Sequence, residues 1–122
     1  MKTIKTFEDA CKKLGLDPLK VIPEFLEFPE SDRKAMQAHA KLIIINKAIV
    51  GDWVPDWNNY DQYKYYPWFE MGSSSGAGFS YLDCDIWLTG SNAGSRLCFE
   101  TREQAKYVGT QFLELYKDYF VK

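Results

Sequence analysis

Apolar residues recur along this chain with two different periods, and the change of period separates helix-like flanks from a strand-like middle. Phe7, Ala10, Cys11 and Leu14 form one stripe at spacings of three and four, which predicts a first helix. Thr6 with Asp9 three residues on makes an approximate capping box, and Gly15 supplies the left-handed position after the last turn. Asp17-Pro18 reads as a cap followed by proline at the first helical position, giving a single turn over Leu19 to Ile22 that Pro23 stops. The stretch Glu24 to Phe28 is apolar at Phe25, Leu26 and Phe28, and Pro29 closes it. A long helix is predicted from about Asp32 to Val50, with Ser31 as its cap and Gly51 as its stop. Met36, His39, Leu42, Ile43, Asn46, Ile49 and Val50 share one broad side, widened by Ile44 and Ile45. This is expected to be the central helix.

From Gly51 to Asp61 no period holds, and Asp, Asn and Pro mark a loop. Between Tyr63 and Met71 the period falls to two. Tyr63, Tyr65, Phe69 and Met71 share one face of the predicted strand, and Tyr66 and Trp68 share the other. Pro67 cannot donate to a ladder, which places this strand at an edge. Gly72 to Gly78 predicts a flexible hairpin loop, followed by a second strand from about Gly78 to Tyr81 or beyond. Asp83-Cys84-Asp85 reads as a bulge at a strand break, Ile86-Trp87-Leu88 as a continuation or re-pairing, and Gly90 to Gly94 as a turn. Ser95 to Glu100 is the third expected strand, with Leu97 and Phe99 opposed to Arg96 and Cys98.

Thr101 with Gln104 is a capping box for the last helix. Ala105, Val108, Phe112, Leu115 and Tyr119 recur along it, flanked by Gly109, Leu113, Tyr116 and Phe120, so it is expected to pack along its whole length. The expected fold is α+β: N-terminal helices, a three-stranded antiparallel β-meander and a C-terminal helix packed on the sheet, in one domain over residues 1–122.

Composition sharpens this picture mainly through charge. The chain is 46% hydrophobic and 26% charged, as globular proteins are, with a net charge of -2 and pI near 5.4. Residues 1–50 hold nine Lys and Arg against seven Asp and Glu, whereas residues 51–93 hold only Lys64 against six carboxylates. A broad footprint for duplex nucleic acid or an anionic membrane is not expected from such a balance. Three cysteines, Cys11, Cys84 and Cys98, are too few and too scattered for a disulfide framework. The opening Met1-Lys2-Thr3-Ile4-Lys5 lacks a following apolar segment, so a cytoplasmic protein without a membrane span is expected.

Several strings occur in a recognisable order. They are Ala10-Cys11-Lys12-Lys13-Leu14-Gly15-Leu16-Asp17-Pro18, Trp53-Val54-Pro55-Asp56-Trp57, Tyr63-Lys64-Tyr65-Tyr66-Pro67-Trp68-Phe69, Gly78-Phe79-Ser80-Tyr81, Gly94-Ser95-Arg96-Leu97-Cys98-Phe99 and Phe112-Leu113-Glu114-Leu115-Tyr116-Lys117-Asp118-Tyr119-Phe120. Together they resemble a group of small, functionally uncharacterised proteins of gut Bacteroidales and their bacteriophages. The resemblance implies a phage or mobile-element setting, and no chemistry.

Chemical signatures are mostly missing. The loop run Asp52, Asp56, Asn58, Asn59 and Asp61 is rich in oxygen, but counting from Asp56 puts Tyr60 at position 5 and Pro67 at position 12 of a calcium loop. Turn-forming Asx residues account for it. Asp83-Cys84-Asp85 finds only His39, Cys11 and Cys98 as further soft ligands, at no zinc-like spacing. Cys84 has carboxylates on both sides, which opposes a thiolate, and Cys98, sharing a strand face with Arg96, is the better thiol. His39 reads as a packed core histidine. The glycine-serine loop lacks the Gly-Lys-Ser/Thr of a phosphate loop. No cofactor, no metal and no enzymatic activity is therefore expected.

What remains is aromatic. All four tryptophans, five tyrosines and two phenylalanines fall between Trp53 and Trp87. Alternation sends Tyr66 and Trp68 to the face opposite Tyr65 and Phe69, so the second face is either covered by the Trp53 to Tyr60 loop or open to a partner. Trp53, Trp57, Tyr60, Tyr66 and Trp68 are the candidate binding residues. The leading expectation is a non-enzymatic protein-interaction module acting on a protein partner or by self-association. A small-ligand or carbohydrate binder using the same platform, with Asp56 and Asp61 as acceptors, is the alternative. Nucleic-acid binding through Lys12, Lys13, Lys20, Arg33, Lys34 and Lys41 is the weaker one.

Overall fold

A computed structural model describes residues 1–92 and 94–122; Ala93, inside the predicted Gly90 to Gly94 turn, lies outside the described residues. Helix α1 spans Phe7–Leu14. Its capping box is formed as expected: Thr6 Oγ1 accepts from the Asp9 N–H at 3.1 Å, and Asp9 Oδ2 accepts from the Thr6 N–H at 3.1 Å. Gly15 ends it at φ 70°, a conformation that costs glycine little.

Helix α2 spans Glu30–Val50 and starts two residues earlier than predicted. Pro29, not Ser31, is its N-cap, and the Pro29 carbonyl accepts from Asp32 N–H at 2.9 Å. Glu30 and Asp32 in the first turn suit the positive end of the helix dipole. Ala38, Leu42, Ile45, Asn46, Ala48 and Ile49 are its buried positions, and it packs against α1 and the C-terminal helices.

Among the described residues the sheet has two strands, not three. Strand β1, Lys64–Glu70, pairs antiparallel with β2, Ser80–Trp87. β2 is one continuous element, and the register shift falls where Trp68 opposes Asp83 and Phe69 opposes Tyr81, leaving Leu82 as the extra residue. Asp83-Cys84-Asp85 therefore sits within the ladder, and the bulge precedes it. Tyr63 and Met71, predicted on the buried face, lie just beyond the strand ends and are exposed. Between the strands, Gly72 at φ 73° allows a tight return: a Cβ there would meet the Ala77 carbonyl oxygen at 2.1 Å.

The segment expected to form the third strand does something else. Ser95–Leu97 is a turn of 3₁₀ helix, and only Phe99 bridges to β1, exchanging both backbone hydrogen bonds with Tyr65 at 2.9 and 2.7 Å. The buried Asn46 of α2 meets this segment. Its Nδ2 donates to the Cys98 carbonyl at 2.7 Å, binding this segment to the central helix.

The last predicted helix is two. α3 spans Arg102–Gln111 and α4 spans Leu113–Phe120, with Phe112 between them at φ -111°, ψ 31°. The Thr101–Gln104 capping box is formed. Just before the break, Thr110 Oγ1 donates back to the Lys106 carbonyl at 2.6 Å, a bond that bends helices. α3 lies on the sheet while α4 lies on α2, so the bend lets one apolar run serve two surfaces. Gly109 makes the first contact possible: a Cβ there would stand 2.7 Å from Pro67 Cβ and 2.9 Å from Tyr81 Cδ1. The buried stripe accordingly runs Ala105, Val108, Gly109, Phe112, Tyr116, with Leu115 and Tyr119 half-buried. One cluster of buried side chains connects Ile4 and Phe7 through Leu42 and Ile45 to Phe69, Phe99 and Tyr116.

Candidate functional site

Tyr65, Pro67 and Phe69 on β1, with Tyr81 and Cys84 on β2, face α3 and the core. Lys64, Tyr66, Trp68 and Glu70, with Asp83, Asp85 and Trp87 opposite, form the outer face. The two ends of this outer face have different fates.

At the Lys64 end the Trp-rich loop folds over the sheet. Lys64 is fully buried, and its Nζ donates to the Asn59 carbonyl at 3.0 Å and the Leu88 carbonyl at 2.5 Å. The Trp57 ring centroid lies 5.3 Å from that ammonium, within cation–π range. Trp57 also lies 6.4 Å from Trp87, whose ring stacks on Tyr66 at 4.2 Å and 19°. The loop's oxygen-rich run serves its own backbone: Asp56 Oδ1 accepts from Asn58 N–H at 3.0 Å and Asn59 Oδ1 from Asp61 N–H at 2.9 Å. Among the described residues no group of three or more His, Cys, Asp and Glu side chains converges on a metal position.

At the other end the face is open. Trp68 is 54% exposed and has no ring partner among the described residues. It borders a cleft of about 470 Å³. The outer-face rings Tyr66, Trp68 and Trp87 line one side, and Phe69, Tyr116 and Phe120 from the core side line the other. Buried Leu97 lines its depth, and Met71 and Asn92 complete the border. The cleft runs beside the outer edge of β1, next to the place where the expected third strand leaves after the single Tyr65–Phe99 bridge. Burial holds the Tyr66 phenol above its ordinary range, with the adjacent Asp85 carboxylate adding to the shift. Tyr116 is raised too, by burial first.

The five sequence candidates are thus divided. Tyr66 and Trp68 belong to the cleft, Trp57 is part of the cover over Lys64, and Tyr60 is 67% exposed on the covering loop. Trp53 lines a separate hollow of about 240 Å³ with Ile43, Lys47, Val54 and Arg96. Sequence reasoning missed Leu97, Tyr116 and Phe120 as cleft residues. Phe120 had a usable signal, because it is a large ring one turn beyond Tyr116 at the exposed end of its helix.

The groups with chemical potential lie elsewhere. Cys11, Cys84 and Cys98 are free and buried. Burial pushes the Cys98 thiol up to about 11, and its Sγ donates to the Ser95 carbonyl at 3.3 Å, so the anticipated pairing with Arg96 on a strand face does not arise. Cys84 Sγ lies 2.8 Å from the Tyr81 hydroxyl, and burial raises its pKa. His39 packs against Tyr119 between α2 and α4, with ring centroids 4.5 Å apart and planes tilted by 40°. Its Nδ1 is buried without a hydrogen-bond partner among the described residues, and burial lowers its pKa.

Four of the six basic helix positions are engaged in the fold. Lys13 donates to the Ala48 carbonyl, Arg33 to those of Phe28 and Leu26, Lys34 pairs with Asp118 at 3.4 Å, and Lys41 lies over Phe7. Among the described residues no helix is long and apolar enough to cross a membrane. No protein-family model matches this chain, and neither the curated proteins nor the solved structures contain a significant match.

Proposed function

We propose that this protein is a non-enzymatic interaction module that binds a protein partner through the aromatic cleft beside β1. One observation carries the reading. A half-exposed tryptophan, with Met71 and Phe120 also exposed nearby, borders a concave apolar site while Lys64 on the same sheet face is fully buried. Exposed aromatics at a well-formed depression are the anchors that dominate recognition energetics. The lining offers rings, aliphatic groups, a thioether and one amide, with no nucleophile and base in reach of each other. A phage or mobile-element setting is part of the proposal, and the sequence resemblance alone supports it.

A small apolar ligand or a saccharide is the second reading, favoured by the concavity and by a volume typical of ligand sites. Nucleic-acid binding is disfavoured by the engagement of the helix cations in tertiary contacts. The test is a pair of variants, Trp68→Ala and Phe120→Ala, each checked for an unchanged fold by circular dichroism. Loss of captured partner in both supports the reading, and retention of the same partner by both removes it.

A further inference from the structure

Building on the reading of the cleft as a protein-binding site, we infer that its occupant is a basic segment of another protein. That segment inserts one large apolar side chain beside Trp68 and sets Lys or Arg over the adjoining acidic face. Three observations lead there.

The first is the arrangement of charge. Asp85 is the cross-strand partner of Tyr66, Asp83 is that of Trp68, and Glu70 follows on the same face, so each outer-face ring of the open end stands beside a carboxylate. The only cation in residues 51–93, Lys64, is buried under Trp57 and is held by two carbonyls, so it does not neutralise this surface. Arg102 reaches Asp83 at 3.6 Å, but both partners are more than half exposed, which makes that pair weak. Neither Glu70 nor Asp85 has an ion pair among the described residues. A cation at this place meets a ring face and a carboxylate together.

The second is the apolar depth of the cleft. Leu97, Phe69 and Tyr116 are buried yet line it, so a side chain entering there leaves water for a surface without charge. The third is Pro67. β1 exposes its outer edge after the Tyr65–Phe99 bridge, and the next residue directed to that edge has no N–H to offer. A partner therefore gains little from joining the sheet as a third strand. Its side chains carry recognition.

Panning a displayed library of random linear twelve-residue peptides against the folded chain tests this, with titration of the enriched peptides by fluorescence anisotropy. Enriched sequences are expected to carry a large apolar residue with Lys or Arg within three positions. Affinity should drop about tenfold or more in Trp68→Ala. It should fall similarly in the double variant Glu70→Gln, Asp85→Asn, and between 0.05 and 0.5 M salt by a factor on the order of ten. N-methylation of the peptide backbone beside the anchor should change little.

Neutral or acidic peptides that bind and are lost in Trp68→Ala would overturn the charge inference while leaving the interaction reading intact. A tenfold loss on N-methylation overturns the side-chain mode in favour of strand addition. Self-association of the free chain that vanishes in Trp68→Ala assigns the site to a second copy and overturns the basic segment. Enrichment of no peptide, or of peptides indifferent to both Trp68→Ala and Phe120→Ala, overturns the inference and the interaction reading together.

Discussion

Lys64 and Trp68 are two positions on one face of one strand, four residues apart, yet the first is fully buried and the second is 54% exposed. Intrinsic strand preference does not separate them in the expected sense, since the polar residue is inside and the large aromatic is outside. The difference comes from what lies above each. Over Lys64 the 53–62 loop supplies the Trp57 ring and the Asn59 carbonyl, so the ammonium exchanges water for carbonyl oxygens and a ring face. Over Trp68 no described ring folds back, and the indole borders a cleft. A buried charge marks where the protein has closed upon itself, and an exposed ring marks where it has not.

The core beside this face sets the largest effects. Phe69→Ala is expected to destabilise by roughly 3–5 kcal/mol, because Phe69 is 5% exposed and stacks on Phe79 at 5.1 Å. Its neighbour Trp68→Ala should cost no more than about 1 kcal/mol. Comparing their midpoints in urea settles the order, and a reversed order breaks the distinction between core and open face. Leu42→Ala and Phe112→Ala, both buried, should each cost roughly 2–5 kcal/mol and serve as core references.

At the covered end, Lys64→Met retains the stem and removes the ammonium, leaving the Asn59 and Leu88 carbonyls without their donor. A loss of about 1–3 kcal/mol is expected, with a changed tryptophan emission as Trp57 loosens. A neutral or stabilising result would mean that the loop is held by ring packing alone.

Collisional quenching by acrylamide gives a direct measure of the same contrast. Replacing Trp68 with Phe should remove most of the readily quenched emission, whereas replacing Trp87 should remove mainly protected emission. Equal accessibility of the two would dissolve the comparison.

The smallest effect lies away from the sheet. His39 has a pKa below its ordinary value near 6.5 because it is partly buried between α2 and α4. The unfolded chain then takes up this proton more readily than the folded one, so the contribution is complete above about pH 6.5 and is lost as pH falls toward and through the depressed value. The difference in midpoint between pH 7.5 and pH 5 should shrink in His39→Phe. An unchanged difference would place the acid sensitivity elsewhere.

Much of the architecture was legible in local signals. Thr6 with Asp9 and Thr101 with Gln104 are completed within four residues, so α1 and α3 began where their capping boxes said. The alternation through Tyr65, Tyr66, Trp68 and Phe69 sorted the strand's faces correctly, and Pro67 lies at an outer edge as expected. What failed depended on distant partners. Ser95 to Glu100 alternates like a strand, but Asn46, more than fifty positions away in the chain, takes its Cys98 carbonyl. The final apolar run looked continuous, but before Phe112 it lies on the sheet, and after it the helix turns onto α2 while Tyr116 and Phe120 still reach Phe69.

The site follows the same division. By itself the sequence determined that rings would accumulate between Trp53 and Trp87 among carboxylates, and that Tyr66 and Trp68 would share a face, because composition and the period of two are local properties. Only the tertiary structure decided that Trp57 closes one end of that face over Lys64, that Trp53 turns to a separate hollow, and that Leu97, Tyr116 and Phe120 join Trp68 around a cleft. Those outcomes depend on where loops and helices return in space, and on which buried polar atom finds which carbonyl. No window of a few residues contains that information.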